Sequence, residues 1–164
     1  MSDAAAPLAT EAAHAATVHE PFEVLYSREF RPMLRLAVAL VDTTEQAEEV
    51  VQDAFAALYL RYRTVANPVG YLRVSVLNGG RRVLRRRRLV RLQPDPRLEY
   101  DHLGFNHVLD AVRRLPPQQR NAVLLRYELQ LSDAEIADTL GVPIGTVKST
   151  LHRAVVRLRA EIQP

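Results

Sequence analysis

The chain has 164 residues, a formal net charge of +3, 48% hydrophobic and 25% charged residues, and no cysteine. That length fits one medium domain or two small ones and leaves no room for a large barrel or a multilayered catalytic fold. The missing cysteine removes disulfides, thiolate zinc sites, iron–sulfur clusters and cysteine nucleophiles, and it points to a reducing compartment.

Residues 1–20 open without an early positive charge or a continuous apolar core, so they are no secretory signal and are expected to be a disordered, alanine-rich tail. The longest apolar stretches, such as Leu36 to Val41, fall far short of the ~20 residues that cross a bilayer, and no membrane insertion is expected.

Charge is divided unevenly. Residues 1–60 carry ten acids and three bases, residues 61–92 carry ten bases and no acid, and residues 93–164 carry nine of each. All ten central bases are arginine, densest from Arg81 to Arg88. A chain that gathers its positive charge in so few residues is built to meet a polyanion there, because neutralised phosphates release condensed counterions. The run alone leaves DNA, RNA, a localisation tract and a solvated helix end all open.

From Phe22 to Val41 apolar residues recur at Phe22, Tyr26, Phe30, Met33, Ala37 and Leu40, the spacing of one helical stripe. Pro32 removes an amide donor and predicts a bend or a split into two shorter helices. After Asp42, either Thr43 with Gln46 or Thr44 alone opens a second helix running to about Arg61. Its inner face is Ala47, Val50, Val51, Ala54 and Leu58, and its outer face is Glu45, Glu48, Glu49, Gln52 and Asp53. Asn67-Pro68 starts a third helix that turns Tyr71, Leu72, Ser75 and Val76 inward and is expected to weaken at Gly79-Gly80 before the arginine run. Residues 93–107, with Pro94, Pro96 and Gly104, read as a linker.

The helical pattern resumes at Leu109, Val112 and Leu115, breaks at Pro116-Pro117, and continues at Val123, Leu124 and Tyr127. The stretch Leu131 to Ala154 has the grammar of a helix-turn-helix. Ser132 and Glu135 form a capping box, and Ile136, Ala137 and Leu140 face inward. Gly141 supplies the left-handed turn, Val142 fills the corner, Pro143 starts the second helix, and Val147 and Leu151 anchor it. Thr146, Lys148, Ser149, His152 and Arg153 remain on its outer side, where short hydroxyls and basic groups suit a major groove. These compatible spacings favour DNA contact over a plain helical hairpin.

Ala47 to Phe55, then Asn67-Pro68-Val69-Gly70-Tyr71-Leu72 leading through Asn78 into the arginines, resembles region 2 of bacterial sigma-70 family factors. Leu115 to Arg120 and Gly141 to Ala154 resemble their region 4. Regions 1 and 3 have no counterpart, which is the layout of the small extracytoplasmic-function, or group 4, members.

The resemblance implies an all-α fold of two small helical domains joined by a flexible linker. Region 2 would span residues 21–92, the linker 93–107 and region 4 residues 108–164, with no further C-terminal domain. It implies a transcription initiation factor whose partners are core RNA polymerase, through the β′ coiled coil and the β flap, and promoter DNA. It places β′ docking on Glu48, Glu49, Gln52 and Asp53. It assigns −10 recognition and strand opening to Tyr62, Asn67, Tyr71, Arg73, Asn78, Arg81, Arg82 and Arg85, and −35 recognition to Thr146, Lys148, Ser149, His152 and Arg153. Many members are held by an anti-sigma protein, and cytoplasmic residence without a cofactor follows from the group. Family members usually carry tryptophan where Tyr71 stands, and an aspartate a few residues after the position of Asn78.

Three other classes compete. A stand-alone helix-turn-helix regulator leaves the acidic helix and the arginine helix unexplained, and an arginine-rich RNA-binding protein needs no helix-turn-helix. An enzyme has no support: His14, His19, His102, His107 and His152 do not fall at metal-ligand spacing with carboxylates, no glycine-rich phosphate loop occurs, and Ser132 is accounted for by capping.

Overall fold

The computed structural model describes residues 19–90 and 106–162, and in them the chain is all-α. The first half holds α1 (Phe22–Leu40), α2 (Thr44–Tyr59) and α3 (Pro68–Val90). The second half holds α4 (Asn106–Arg114), α5 (Pro117–Tyr127), α6 (Asp133–Leu140) and α7 (Ile144–Ile162).

Pro32 does not split α1, which is one continuous helix. Leu25 before the proline and Met33 and Leu36 after it are all buried in the same core. Burying such side chains is worth about 2 kcal/mol each, which outweighs the roughly 3 kcal/mol cost of a proline inside a helix. Thr43 Oγ1 accepts the Gln46 amide at 3.2 Å and opens α2, while Gln46 Oε1 accepts the Asp42 amide at 3.2 Å. The predicted inner face of α2 is buried in full and is joined by Phe55. The helix ends at Tyr59, two residues early, and Arg61 and Tyr62 continue in turns.

In α3 the expectation of a weak point at Gly79-Gly80 is overturned: the helix runs unbroken through both. A Cβ on Gly79 would lie 2.7 Å from Val50 Cγ1, and one on Gly80 2.9 Å from Leu40 Cβ. The two glycines let α3 approach α2 and α1 closely, and packing against both neighbours outweighs the ~1 kcal/mol propensity cost of each glycine.

Asn67 Oδ1 accepts the Gly70 amide at 2.8 Å, the predicted cap. α4 begins at Asn106, inside the expected linker, and residues 93–105 of that linker lie outside the described residues. The expected tail also ends short of residue 20. Glu20 pairs with Arg28 at 2.7 Å and its carbonyl accepts the Tyr62 hydroxyl, while residues 1–18 lie outside the described residues.

Each half has its own helical packing, and the halves also touch. α1 packs on α4 and α5, and α3 packs on α6. Among the described residues, side-chain hydrogen bonds cross this boundary. Arg113 donates to the Val38 and Val41 carbonyls at 3.0 and 2.9 Å, and Arg35 Nε meets Glu128 Oε1 at 2.7 Å.

Candidate nucleic-acid interface

The helix-turn-helix forms as its sequence predicts. Ser132 Oγ accepts the Glu135 amide at 3.3 Å, and Glu135 Oε2 accepts the Ser132 amide at 2.9 Å, which closes the capping box on α6. These hydrogen bonds, the Ser132 amide first and its hydroxyl second, hold the Glu135 carboxyl below its ordinary range. Gly141 takes φ 64° and ψ 38°. The amides of Gly141 and Val142 return to the Asp138 and Ala137 carbonyls, a Schellman closure that reverses the chain. Arg126 braces the entry by donating to the Leu131 carbonyl at 2.7 Å and pairing with Asp133, a tie that hydrophobic spacing gave no means to find.

Val147, Thr150 and Ala154 bury one side of α7. Thr146, Lys148, Ser149, His152 and Arg153 are all exposed, so the five predicted −35 residues lie on the solvent side of one helix. Ser149 Oγ donates to the Thr146 carbonyl at 3.0 Å, and Arg153 Nε donates to the Ser149 carbonyl at 3.2 Å. No side chain crowds Gly145 within 4 Å, which leaves the start of the helix open to a close approach.

On α2, Glu48, Glu49, Gln52 and Asp53 are exposed together, opposite the buried Val50, Val51 and Ala54. The eight expected −10 residues divide. Asn78, Arg81, Arg82 and Arg85 are exposed on α3, with Asn78, Arg82 and Arg85 on one stripe at steps of four and three, whereas Tyr71 is half-buried and packs against the core, as its inward reading expects. Tyr62 is tied down instead. Its hydroxyl donates to the Glu20 carbonyl at 2.7 Å and its ring meets Phe22 edge-on with centroids 5.2 Å apart. Burial, then the Glu20 charge, raises its pKa. The Asn67 side chain is used as the α3 cap. Arg73 is half-buried in the crevice between the halves, beside Glu29, Glu128 and Gln130, apart from the exposed stripe.

Sequence reasoning missed two exposed apolar residues at the end of α2: Leu60 is 85% exposed and Tyr59 64%. Both fall off the inner stripe that ends at Leu58, which is the signal that could have marked them. It also grouped Tyr127 with the buried Val123 and Leu124. The tyrosine is outside and lines an apolar groove of about 550 Å³ with Val108, Leu109, Val112, Leu158 and Ile162. Among the described residues no group of three acidic or histidine side chains is placed to hold a metal.

The family model for sigma-70 region 4 matches residues 106–158. The RNA polymerase sigma-E factor of Streptomyces antibioticus is 36% identical over 152 residues, covering 87% of this chain and 84% of that protein. The extracytoplasmic-function sigma factor SigM of Mycobacterium tuberculosis is 33% identical over 159 residues, covering 90% and 80%. In fold the chain resembles the sigma factor RpoE of Bartonella quintana, solved with the anti-sigma factor NepR, with a TM-score of 0.69 at 23% identity over 87% of this chain and 96% of that one.

The chain therefore belongs to the sigma-70 family, in its extracytoplasmic-function group, and is a transcription initiation factor. The relatives align across both halves, which a stand-alone helix-turn-helix regulator does not explain.

Proposed function

We propose that this chain binds core RNA polymerase through the acidic face of α2, reads and holds the −10 element with α3, and reads the −35 element with α7. The observation that carries the reading is the pairing, in one chain, of an exposed carboxylate face with two exposed basic faces. Carboxylates repel DNA, so Glu48, Glu49, Gln52 and Asp53 suit a basic protein partner, the β′ coiled coil. Guanidiniums pair with phosphate and stack on unpaired bases, so Asn78, Arg81, Arg82 and Arg85 suit a separating strand. Opening costs about 1.4 kcal/mol per base-pair step, and capture of unpaired bases by stacking and ion pairing offsets it.

Tyr71, half-buried two turns before Asn78 on the same helix, supplies the aromatic side chain. Tyr62 and Asn67 act by fixing the loop that leads into α3, and Arg73 reaches DNA only when the two halves part. The apolar groove between α4, α5 and α7, with the exposed Val108, Tyr127 and Ile162 on its rim, offers an apolar seat for the β flap. The chain guides polymerase and performs no bond chemistry of its own. It acts in the cytoplasm, where polymerase is, and no helix among the described residues is long and apolar enough to cross a membrane.

The reading is tested by reversing charge at Glu49 and Asp53 in the full chain. Core-polymerase affinity should fall at least tenfold while affinity for a −35 duplex is unchanged. Equal core affinity in variant and parent would refute the docking assignment.

A further inference from the structure

We propose that Ile144, the first residue of α7, reads a thymine of the −35 element by packing on its 5-methyl group in the major groove. This rests on the proposed reading of α7 and adds the chemistry of one base. Ile144 is 46% exposed. Leu140 and Val142 before it, and Val147 and Leu151 after it, all join or pack against the core, and Ile144 does neither. It does not line the apolar groove between α4, α5 and α7 either. Single exposed aliphatic residues are ordinary on a protein surface, so what matters is where this one stands.

Ile144, Lys148 and His152 follow at steps of four and form one exposed ridge along α7. The ridge beside it is Gly145, Ser149 and Arg153. There Ser149 Oγ donates to the Thr146 carbonyl at 3.0 Å and Arg153 Nε to the Ser149 carbonyl at 3.2 Å, so both side chains are drawn back onto their own helix. Among the described residues Lys148 and His152 have no such tie. The first ridge therefore projects an aliphatic group, an ammonium and an imidazole, in that order from the start of the helix.

Gly145 supplies an independent observation. Among the described glycines the left-handed one is Gly141, and nothing described lies within 4 Å of a Cβ placed on Gly145. Neither backbone geometry nor packing within the protein calls for glycine there, and glycine weakens a helix relative to alanine. What the missing side chain does provide is a close approach from outside. It does so at the start of the second helix of a helix-turn-helix, where the first residues meet base edges. A duplex seated close on Gly145 meets Ile144 directly beside it.

The isoleucine side chain carries no donor or acceptor, so it reads no hydrogen-bonding pattern. The 5-methyl group of thymine is the apolar group that base edges present in the major groove, and the other three bases offer no equivalent. Contact between the two removes apolar surface of both from water. Lys148 stands four residues further on, about 6 Å along the helix, which is about two base pairs at ~3.4 Å per step. Its ammonium suits the O6 and N7 acceptors of a guanine there. The ridge thus reads two base edges of different chemistry, one apolar and one accepting.

The experiment uses holoenzyme, the full chain on core polymerase, and a promoter fragment that it transcribes. Each thymine of the −35 element, on either strand, is replaced in turn by deoxyuridine, which removes the methyl group alone. One replacement should weaken binding by the parent about fourfold, the effect of leaving one methyl group uncovered. Ile144→Ala should bind the thymine and uracil fragments equally, and Ile144→Val should keep part of the preference. Lys148→Ala should weaken both fragments and preserve the ratio between them. Gly145→Ala should also weaken both, although alanine favours the helix. Helical circular dichroism and core-polymerase affinity of Ile144→Ala, matching the parent, separate lost reading from lost folding.

A −35 element without thymine, a parent indifferent to every replacement, or a thymine preference undiminished in Ile144→Ala would overturn the inference. Unchanged promoter affinity in Gly145→Ala would overturn the close approach on which it depends. A parent that binds a scrambled −35 element as tightly as the native one would overturn the proposed reading of α7 itself, and the inference with it.

Discussion

Gly79 and Gly80 show how a residue read in isolation misleads. At an exposed helical site glycine to alanine gains about 1 kcal/mol, but here the new Cβ would lie 2.7 Å from Val50 or 2.9 Å from Leu40. Overpacking costs about 1–3 kcal/mol and wins. Gly79→Ala should therefore lower stability by about 1–2 kcal/mol in chemical denaturation, and Val50→Ala added to it should return part of the loss. Nothing in hydrophobic spacing separates a helix-breaking glycine from one that lets two helices meet, because the difference lies in a neighbour thirty residues away.

The capping box, by contrast, was legible, since all of its partners lie within four residues. Ser132→Ala should cost about 1 kcal/mol. Glu135 also makes a pH prediction. Its folded carboxyl titrates below its ordinary value, so its contribution is complete above the unfolded pKa and is lost as pH falls through the folded one. Denaturation followed between pH 6 and 3 should show Glu135→Gln with a shallower acid loss than the parent.

At the scale of elements, the stripe of α1, the inner face of α2 and both helices of the helix-turn-helix were readable because each buries one face against its own half. The split that Pro32 allowed does not occur, because the core on either side of it outweighs the local break. Tyr62 and Arg73 were grouped with the −10 residues, but their surroundings come from distant segments: Glu20 and Phe22 for the tyrosine, Glu128 and Gln130 for the arginine. The exposed stripe of α3 makes the prediction that belongs here. Arg82→Ala and Arg85→Ala together should lower the slope of log affinity against log salt by about 1.5 for open promoter complexes, and should leave the slope for a −35 duplex unchanged.

For the whole molecule, the net charge of +3 hides an acidic, a basic and a neutral segment. The sequence implied two independent modules on a tether, whereas the structure brings them together. That contact was not legible because its polar ties come from Arg113 and Glu128, residues that look like ordinary solvated charges along their own helices.

The central claim is that this chain gives polymerase its start sites, and transcription by sigma-free core polymerase on a library of genomic promoter fragments tests it most directly. Adding the chain should produce discrete transcripts that begin just downstream of shared −10 and −35 sequences. Those transcripts should fall at least tenfold with Glu49→Lys and Asp53→Lys together, and again with Thr146→Ala and Lys148→Ala together. Transcripts identical with and without the chain, or start sites indifferent to both pairs of substitutions, would contradict the account.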